Sequence, residues 1–121
     1  MDRTLLLVGA VAGFIAVGFG AFGAHGLRGR LSSEMLAAFE TGVRYQMYHA
    51  LAILVTAVAL ANVDARLLRI GAWLFALGIV LFSGSLYALA LTGVTRLGMI
   101  TPLGGLAFLA GWALLILAAL R

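Results

Sequence analysis

Four long apolar runs separated by short polar stretches set the pattern of this chain. Leu5 to Ala24 carries no charged residue, and a helix rising about 1.5 Å per residue over that length crosses a hydrocarbon core of roughly 30 Å. Small residues near Ala21 and Gly23 resemble a leader-cleavage site, yet a run of roughly 20 residues suits a retained span better. His25-Gly26 ends it. From Leu31 to Tyr45 the pattern changes: Met35, Leu36, Phe39 and Val43 fall on one helical face, and Glu34, Glu40, Thr41 and Arg44 fall on another. That spacing predicts an amphipathic helix over 31–45, capped by Ser32 or Ser33 with Glu34 in its first turn.

No proline interrupts the chain from there to Ala61, so the amphipathic segment should lead into a second span over 46–61, with Gly42 as the expected bend. Asn62 to Arg66 reads as a short polar turn. The third span follows over 67–92, with Arg69 near its start placed to snorkel to the interface. Gly93 to Gly98, with Arg96, makes the next turn. Thr101-Pro102 then opens a fourth span over 101–120, proline standing where its missing N–H costs least. The runs are too long for strands and do not alternate. The expected fold is an all-α membrane protein: four transmembrane helices in one domain over 1–121, an amphipathic segment leading into the second.

Composition agrees with lipid as the solvent. Hydrophobic residues make up 64% and charged residues 10% of the 121 positions, and the mean hydropathy is +1.17. Soluble domains are about half apolar and a quarter charged, and a small soluble domain leaves a large share of its surface in water. The net charge of +4 comes from arginines standing singly or in pairs between apolar runs. They form no stripe with interleaved aromatics, so nucleic acid is not an expected partner. With no cysteine there is no disulfide, thiolate nucleophile or cysteine metal site.

Small residues recur within the spans. Gly9, Gly13, Ala16, Gly20 and Gly23 follow 4-3 spacing in the first; Gly71, Gly78, Ser85 and Thr92 recur at seven in the third; Gly104, Gly111 and Ala118 do so in the fourth. Such stripes let helix backbones approach closely, and a period near 3.5 favours shallow left-handed crossings. A stripe left over after packing within the chain could serve an oligomer contact. Gly18 to Gly23 matches the glycine spacing of a dinucleotide fingerprint, but that motif needs a strand before it and a helix after it.

Up-and-down topology gathers a polar cluster into one half of the membrane: His25, Glu40, Arg44, Tyr45, Gln46, Tyr48, His49, Ser83, Ser85, Tyr87 and Thr101. The opposite half is nearly pure Leu, Ala, Val and Ile. Glu40 and Arg44, four apart with the acid first, are spaced for an ion pair that eases an arginine near lipid; the sharper reading has Arg44 holding an anionic group with Glu40 as its gate. His49, about a turn inside the second span, should face protein and bond Ser83, Tyr87 or a backbone carbonyl. Two histidines, His25 and His49, at similar depth are the only hint of a haem or metal, and no metal or cofactor is expected from so small a donor set. No nucleophile and base are marked by spacing, so an enzyme is not expected.

Four blocks resemble a known family. Gly20 to Leu27 (GAFGAHGL), Phe39 to Leu51 (FETGVRYQMYHAL), Phe82 to Tyr87 (FSGSLY) and Ile100 to Gly105 (ITPLGG) together are similar to domain-of-unknown-function family 423, small bacterial inner-membrane proteins related to transmembrane protein 256. The resemblance implies a four-helix membrane protein and brings no established activity.

The expected function is a non-catalytic membrane subunit or assembly protein of the bacterial inner membrane, in contact with lipid and with further copies or a larger complex. A small oligomeric transporter or channel with a one-sided site at Glu40, Arg44 and His49 is the alternative, against which no span carries an ionisable residue at mid-depth. A haem- or lipid-handling protein is the third. Arg3, Arg66, Arg69 and Arg121 fall on one side and Arg28, Arg30, Arg44 and Arg96 on the other. Discounting Arg44, paired with Glu40, tips the positive-inside rule towards cytoplasmic termini. An even count would also suit dual topology.

Overall fold

A computed structural model describes residues 1–61 and 66–121; the expected turn at Asn62 to Arg66 lies, apart from Arg66, outside the described residues. All regular structure among the described residues is helical. Helix α1 (Arg3–His25) starts where the Asp2 carboxylate accepts the Leu5 N–H at 3.1 Å. It ends at His25, where the Gly26 N–H still bonds the Phe22 carbonyl at 2.6 Å, and Gly29, at φ +83°, then turns the chain. Helix α2 (Ser33–Ala59) is capped by Ser32, whose hydroxyl accepts the Met35 N–H at 3.2 Å. It runs unbroken through Gly42, so the amphipathic segment and the second apolar run are one rod. Close contact explains Gly42 better than bending: its carbonyl takes a hydrogen bond from Ser83, and a Cβ there would lie 2.8 Å from the Tyr87 ring.

The third apolar run is one rod from Arg66 to Thr92. Within it, α3 (Arg66–Gly78) passes through a π-helical turn (Ile79–Ser83) into α4 (Gly84–Thr92). The expected unbroken α-helix is thus corrected. Gly93 ends α4 in the left-handed region at φ +73°, returning its N–H to the Leu89 carbonyl at 2.8 Å. A 3₁₀ turn (Thr95–Met99) then leads into α5 (Thr101–Ala119), with Pro102 in its first turn. Among the described residues three rods are long and apolar enough to cross a membrane: Arg3–His25, Arg66–Thr92 and Thr95–Ala119, with mean hydropathies of 2.4, 2.2 and 2.0. Helix α2 is 27 residues long, but Glu34, Glu40 and Arg44 in its first half make it less apolar than these.

The rods pack in chain order. Helix α1 lies on α2, α2 lies on α3, the π turn and α4, and α5 lies on α3 and the π turn. Helices α1 and α5 form no packed pair, which leaves them at opposite ends of the layer. Leu5, Ile53, Ala57, Ala72, Phe75 and Phe108 make the main core, and Leu27, Phe39 and Ala90 a second one near the first loop. Helices α3 and α5 touch backbone to backbone: a Cβ on Gly111 would stand 3.0 Å from the Gly71 carbonyl oxygen, and one on Gly71 would stand 3.1 Å from that of Gly111. Without an apolar solvent penalty to drive helices together, such close van der Waals contact is the main attraction available in lipid. Large side chains such as Phe14, Val55 and Leu109 point outward, as expected where hydrocarbon replaces water.

Candidate functional site

The polar half of the molecule resolves into three hydrogen-bonded joints, each tying different helices. At the first, Gln46 on α2 donates from Nε2 to the Ala12 carbonyl of α1 at 2.8 Å and accepts the Tyr87 O–H of α4 on Oε1 at 2.7 Å. One amide thereby links three helices. A turn away, the Ser83 hydroxyl donates to the Gly42 carbonyl at 2.6 Å. Phe19, Phe39 and Tyr87 pack their rings around this joint, with centroids 5.0 Å apart for both Phe19–Tyr87 and Phe39–Tyr87.

The second joint is His49, 4% exposed. Its Nδ1 lies 2.7 Å from the Tyr45 carbonyl oxygen, and its Nε2 lies 3.1 Å from the indole Nε1 of Trp112 on α5. A carbonyl only accepts and an indole N–H only donates. The imidazole between them is therefore neutral, with its proton on Nδ1. Its ring stacks on Phe108 at a centroid distance of 3.6 Å and an interplanar angle of 7°.

The third joint joins α4 to α5, where Ser85 Oγ and Thr101 Oγ1 are 2.6 Å apart. Ser85 also donates to the Phe82 carbonyl at 2.9 Å, which uses its only proton, so Thr101 is the donor between the two hydroxyls. Among the described residues no buried side-chain nitrogen or oxygen is left without a partner.

Several expectations change. Glu40 and Arg44 form no ion pair: both are exposed, and the Arg44 guanidinium turns to the Thr41 hydroxyl at 3.3 Å. In an exposed position water competes well with a distant carboxylate. His25 and Tyr48 are exposed too, so His25, Glu40, Arg44 and Tyr48 stand apart from the joints. His25 and His49 cannot share a metal, since both His49 nitrogens are taken by Tyr45 and Trp112. His49 meets Trp112 and Phe75 well within their rods. On α1, Gly9 and Gly23 face Leu54 and Phe39, but a Cβ on Gly13 would meet nothing within 4 Å. Gly13 borders an open groove beside Phe14 and Val17 instead, and Ala12 and Ala16 take the buried side.

Two partners carry no mark in the sequence. Trp112 sits in a uniformly apolar run, and its pairing with His49 depends on how α5 is rotated against α2. Asp2 and Arg69 meet at the far end, 3.3 Å from Oδ2 to Nε, beside an Asp2 N–H to Ala57 carbonyl bond of 3.3 Å. Arg69 thus pairs rather than merely snorkelling. The Leu5 N–H, and after it Arg69, hold the Asp2 carboxyl below its ordinary value against the opposing effect of desolvation.

The model for the family described as "Protein of unknown function (DUF423)" matches residues 19–105. The UPF0382 membrane protein YwdK of Bacillus subtilis is 47% identical over 98% of this chain and 98% of its own. A UPF0382 membrane protein of Staphylococcus haemolyticus is 45% identical over 98% of this chain and 97% of its own. The UPF0382 inner membrane protein YgdD of Escherichia coli is 45% identical over 99% of this chain and 92% of its own. No solved structure matches. With nearly its whole length aligned to membrane proteins of one kind and its rods long and apolar enough to cross a bilayer, this chain belongs to the DUF423 family of integral membrane proteins.

Proposed function

We propose that this protein is a four-span, non-catalytic subunit or assembly factor of the inner membrane, with both termini in the cytoplasm. The observation that carries the reading is the closure of the polar half: its buried donors and acceptors are matched between the protein's own helices. A transport path needs groups free to exchange partners with a moving solute, and here those groups hold the helices in place. The second half of α2 serves as the fourth span. It lies between α1 and α3, and its end meets the starts of α1 and α3 through the Ala57–Asp2 and Asp2–Arg69 contacts. An even number of crossings puts both termini on that same side.

Native mass spectrometry of protein crosslinked in its own membrane and extracted in mild detergent tests this. A stoichiometric complex with a different membrane protein is the expected result. A monomer or a pure homo-oligomer, under conditions that preserve known complexes of the same membrane, would overturn it.

A further inference from the structure

Helices α2 and α5 flank a cleft of about 420 Å³ whose back wall is the π turn. Its lining differs in kind from the other grooves. The groove between α1 and the third rod is walled mainly by aliphatic side chains such as Leu7, Val11, Ile15, Ile79 and Val80, with Gln46 and the single ring of Tyr87 at its edge, and suits an acyl chain. The α2–α5 cleft is walled instead by five rings, Tyr45, His49, Phe82, Phe108 and Trp112. They already pack on one another: Phe108 stacks on His49 at 3.6 Å, and Phe82 meets Tyr45 at 4.6 Å and Phe108 at 5.4 Å in tilted contacts. Such faces favour a flat ring over a flexible chain.

Polarity narrows the ligand further. No ionised side chain lines the cleft, so the guest is neutral. Tyr45 is 39% exposed and its hydroxyl makes no hydrogen bond within the described residues, while the Trp112 N–H lies at the floor, bonded to His49. The Trp112 proton is already given to His49, so the Tyr45 hydroxyl is the side-chain donor left for a guest, which calls for an acceptor on it. The cleft's α5 wall, from Pro102 to Trp112, belongs to a rod apolar enough to cross a membrane, so a guest reaches it through the hydrocarbon. Gly105 leaves room: a Cβ there would approach nothing closer than Phe82, at 4.0 Å. We infer that the α2–α5 cleft binds a neutral, lipid-soluble, carbonyl-bearing ring of the quinone class, its ring against Phe82 and Phe108 and a carbonyl accepting the Tyr45 O–H. This inference goes beyond the subunit reading and stands or falls separately from it.

Trp73 and Trp112 are the two tryptophans, so Trp73→Phe leaves a single fluorophore in the cleft. Decylubiquinone is titrated into this protein in lipid nanodiscs, and Trp112 quenching is followed. Saturable quenching is expected, with affinity about tenfold weaker when Gly105→Leu fills the cleft and the melting temperature stays put. Tyr45→Phe, which deletes one oxygen at an exposed position, should weaken binding in the same direction. It decides the matter alone if Gly105→Leu proves unstable. Quenching that rises linearly and equally in all variants would reduce the effect to partitioning and overturn the inference. Equal displacement by decanol, a tail with no ring, would overturn it as well.

Discussion

The indole N–H of Trp112 on α5 points at Nε2 of His49 on α2 across 3.1 Å, while the same imidazole gives its one N–H proton, on Nδ1, to the Tyr45 carbonyl at 2.7 Å. Helices α2 and α5 also meet where His49 stacks on Phe108 at 3.6 Å, and the third rod lies against both. The bond closes the floor of the aromatic cleft. Trp112→Phe keeps a ring of similar bulk but leaves Nε2 without a donor in hydrocarbon, and should cost about 1 kcal/mol. His49→Phe should cost more, since it also frees the Tyr45 carbonyl. The double variant should be less destabilised than the sum. Thermal unfolding of the four proteins in one detergent measures the coupling, and strict additivity would deny the bond.

Gly104 and Gly13 look alike in sequence, each a glycine in an apolar run with others three, four or seven residues away. A Cβ on Gly104 would run into the Phe82 backbone, whereas one on Gly13 would enter open space. Gly104→Ala should destabilise by about 1–3 kcal/mol, because backbone at the π turn cannot give way as a side-chain tip can. Gly13→Ala should melt like the parent protein or slightly above it, from helix propensity. Matching melting temperatures for the two variants would contradict this geometry.

Those glycines also mark where sequence stops being informative. Length, hydropathy and the charges between the apolar runs locate the helices, since each is a local property of the chain. Smallness recurring near 3.5 says that a helix can be approached closely but not from which side. On α1 the packed face runs through Leu5, Gly9, Ala12, Ala16 and Gly23, a few tens of degrees from the stripe through Gly13. The π turn is silent for a different reason: Ile79, Val80, Leu81 and Phe82 suit an α-helix equally well. Its extra residue is tolerated because Gly78 and Gly104 let the rods close around it and Ser83 bonds across to α2. The His49–Trp112 pair depends on the rotation and depth of two helices far apart in sequence. No residue spacing encodes that.

Arg44 tests whether sequence spacing or structure is the better guide at the interface. An ion pair with Glu40 would make Arg44→Ala clearly more damaging than Arg96→Ala. With Arg44 exposed and bonded only to the Thr41 hydroxyl, both variants should stay within about 0.5 kcal/mol of the parent. Thermal melts of the two side by side decide it, and a clear deficit confined to Arg44→Ala would restore the pair.

Asp2 links the start of α1 to Arg69, and its sensitivity to pH has a definite sign. Its carboxyl is held below the ordinary 3.8 in the folded protein, first by the Leu5 N–H and then by Arg69. The folded state therefore favours the ionised form, and the stabilisation is fully present above the unfolded value. It disappears as pH falls from about 4 through the lowered folded value. Asp2→Asn should melt below the parent at pH 6, and the gap should narrow as pH falls below about 4. A gap independent of pH would mean that capping geometry, not charge, makes the contribution.

Orientation follows from the same end of the molecule. The Asp2–Arg69 pair places Arg3, Arg66 and Arg69 on one side, and the proposed four crossings would add Arg121 there. Arg28, Arg30, Arg44 and Arg96 belong to the other side. With no Glu40 partner, Arg44 is a full positive charge, and the tally becomes four against four. What separates the sides is position: Arg44 extends from within a helix, whereas the positive-inside rule weighs arginines in short loops and at span ends. Counted that way the termini side leads, which favours a cytoplasmic location for both termini. The chain has no cysteine, so single cysteines at Ala61 and Val94, both exposed, report on opposite faces. A membrane-impermeant thiol reagent applied to intact spheroplasts should label position 94 and spare position 61. Labelling of 61 alone would invert the protein, and comparable labelling of both would mean that copies insert in both directions.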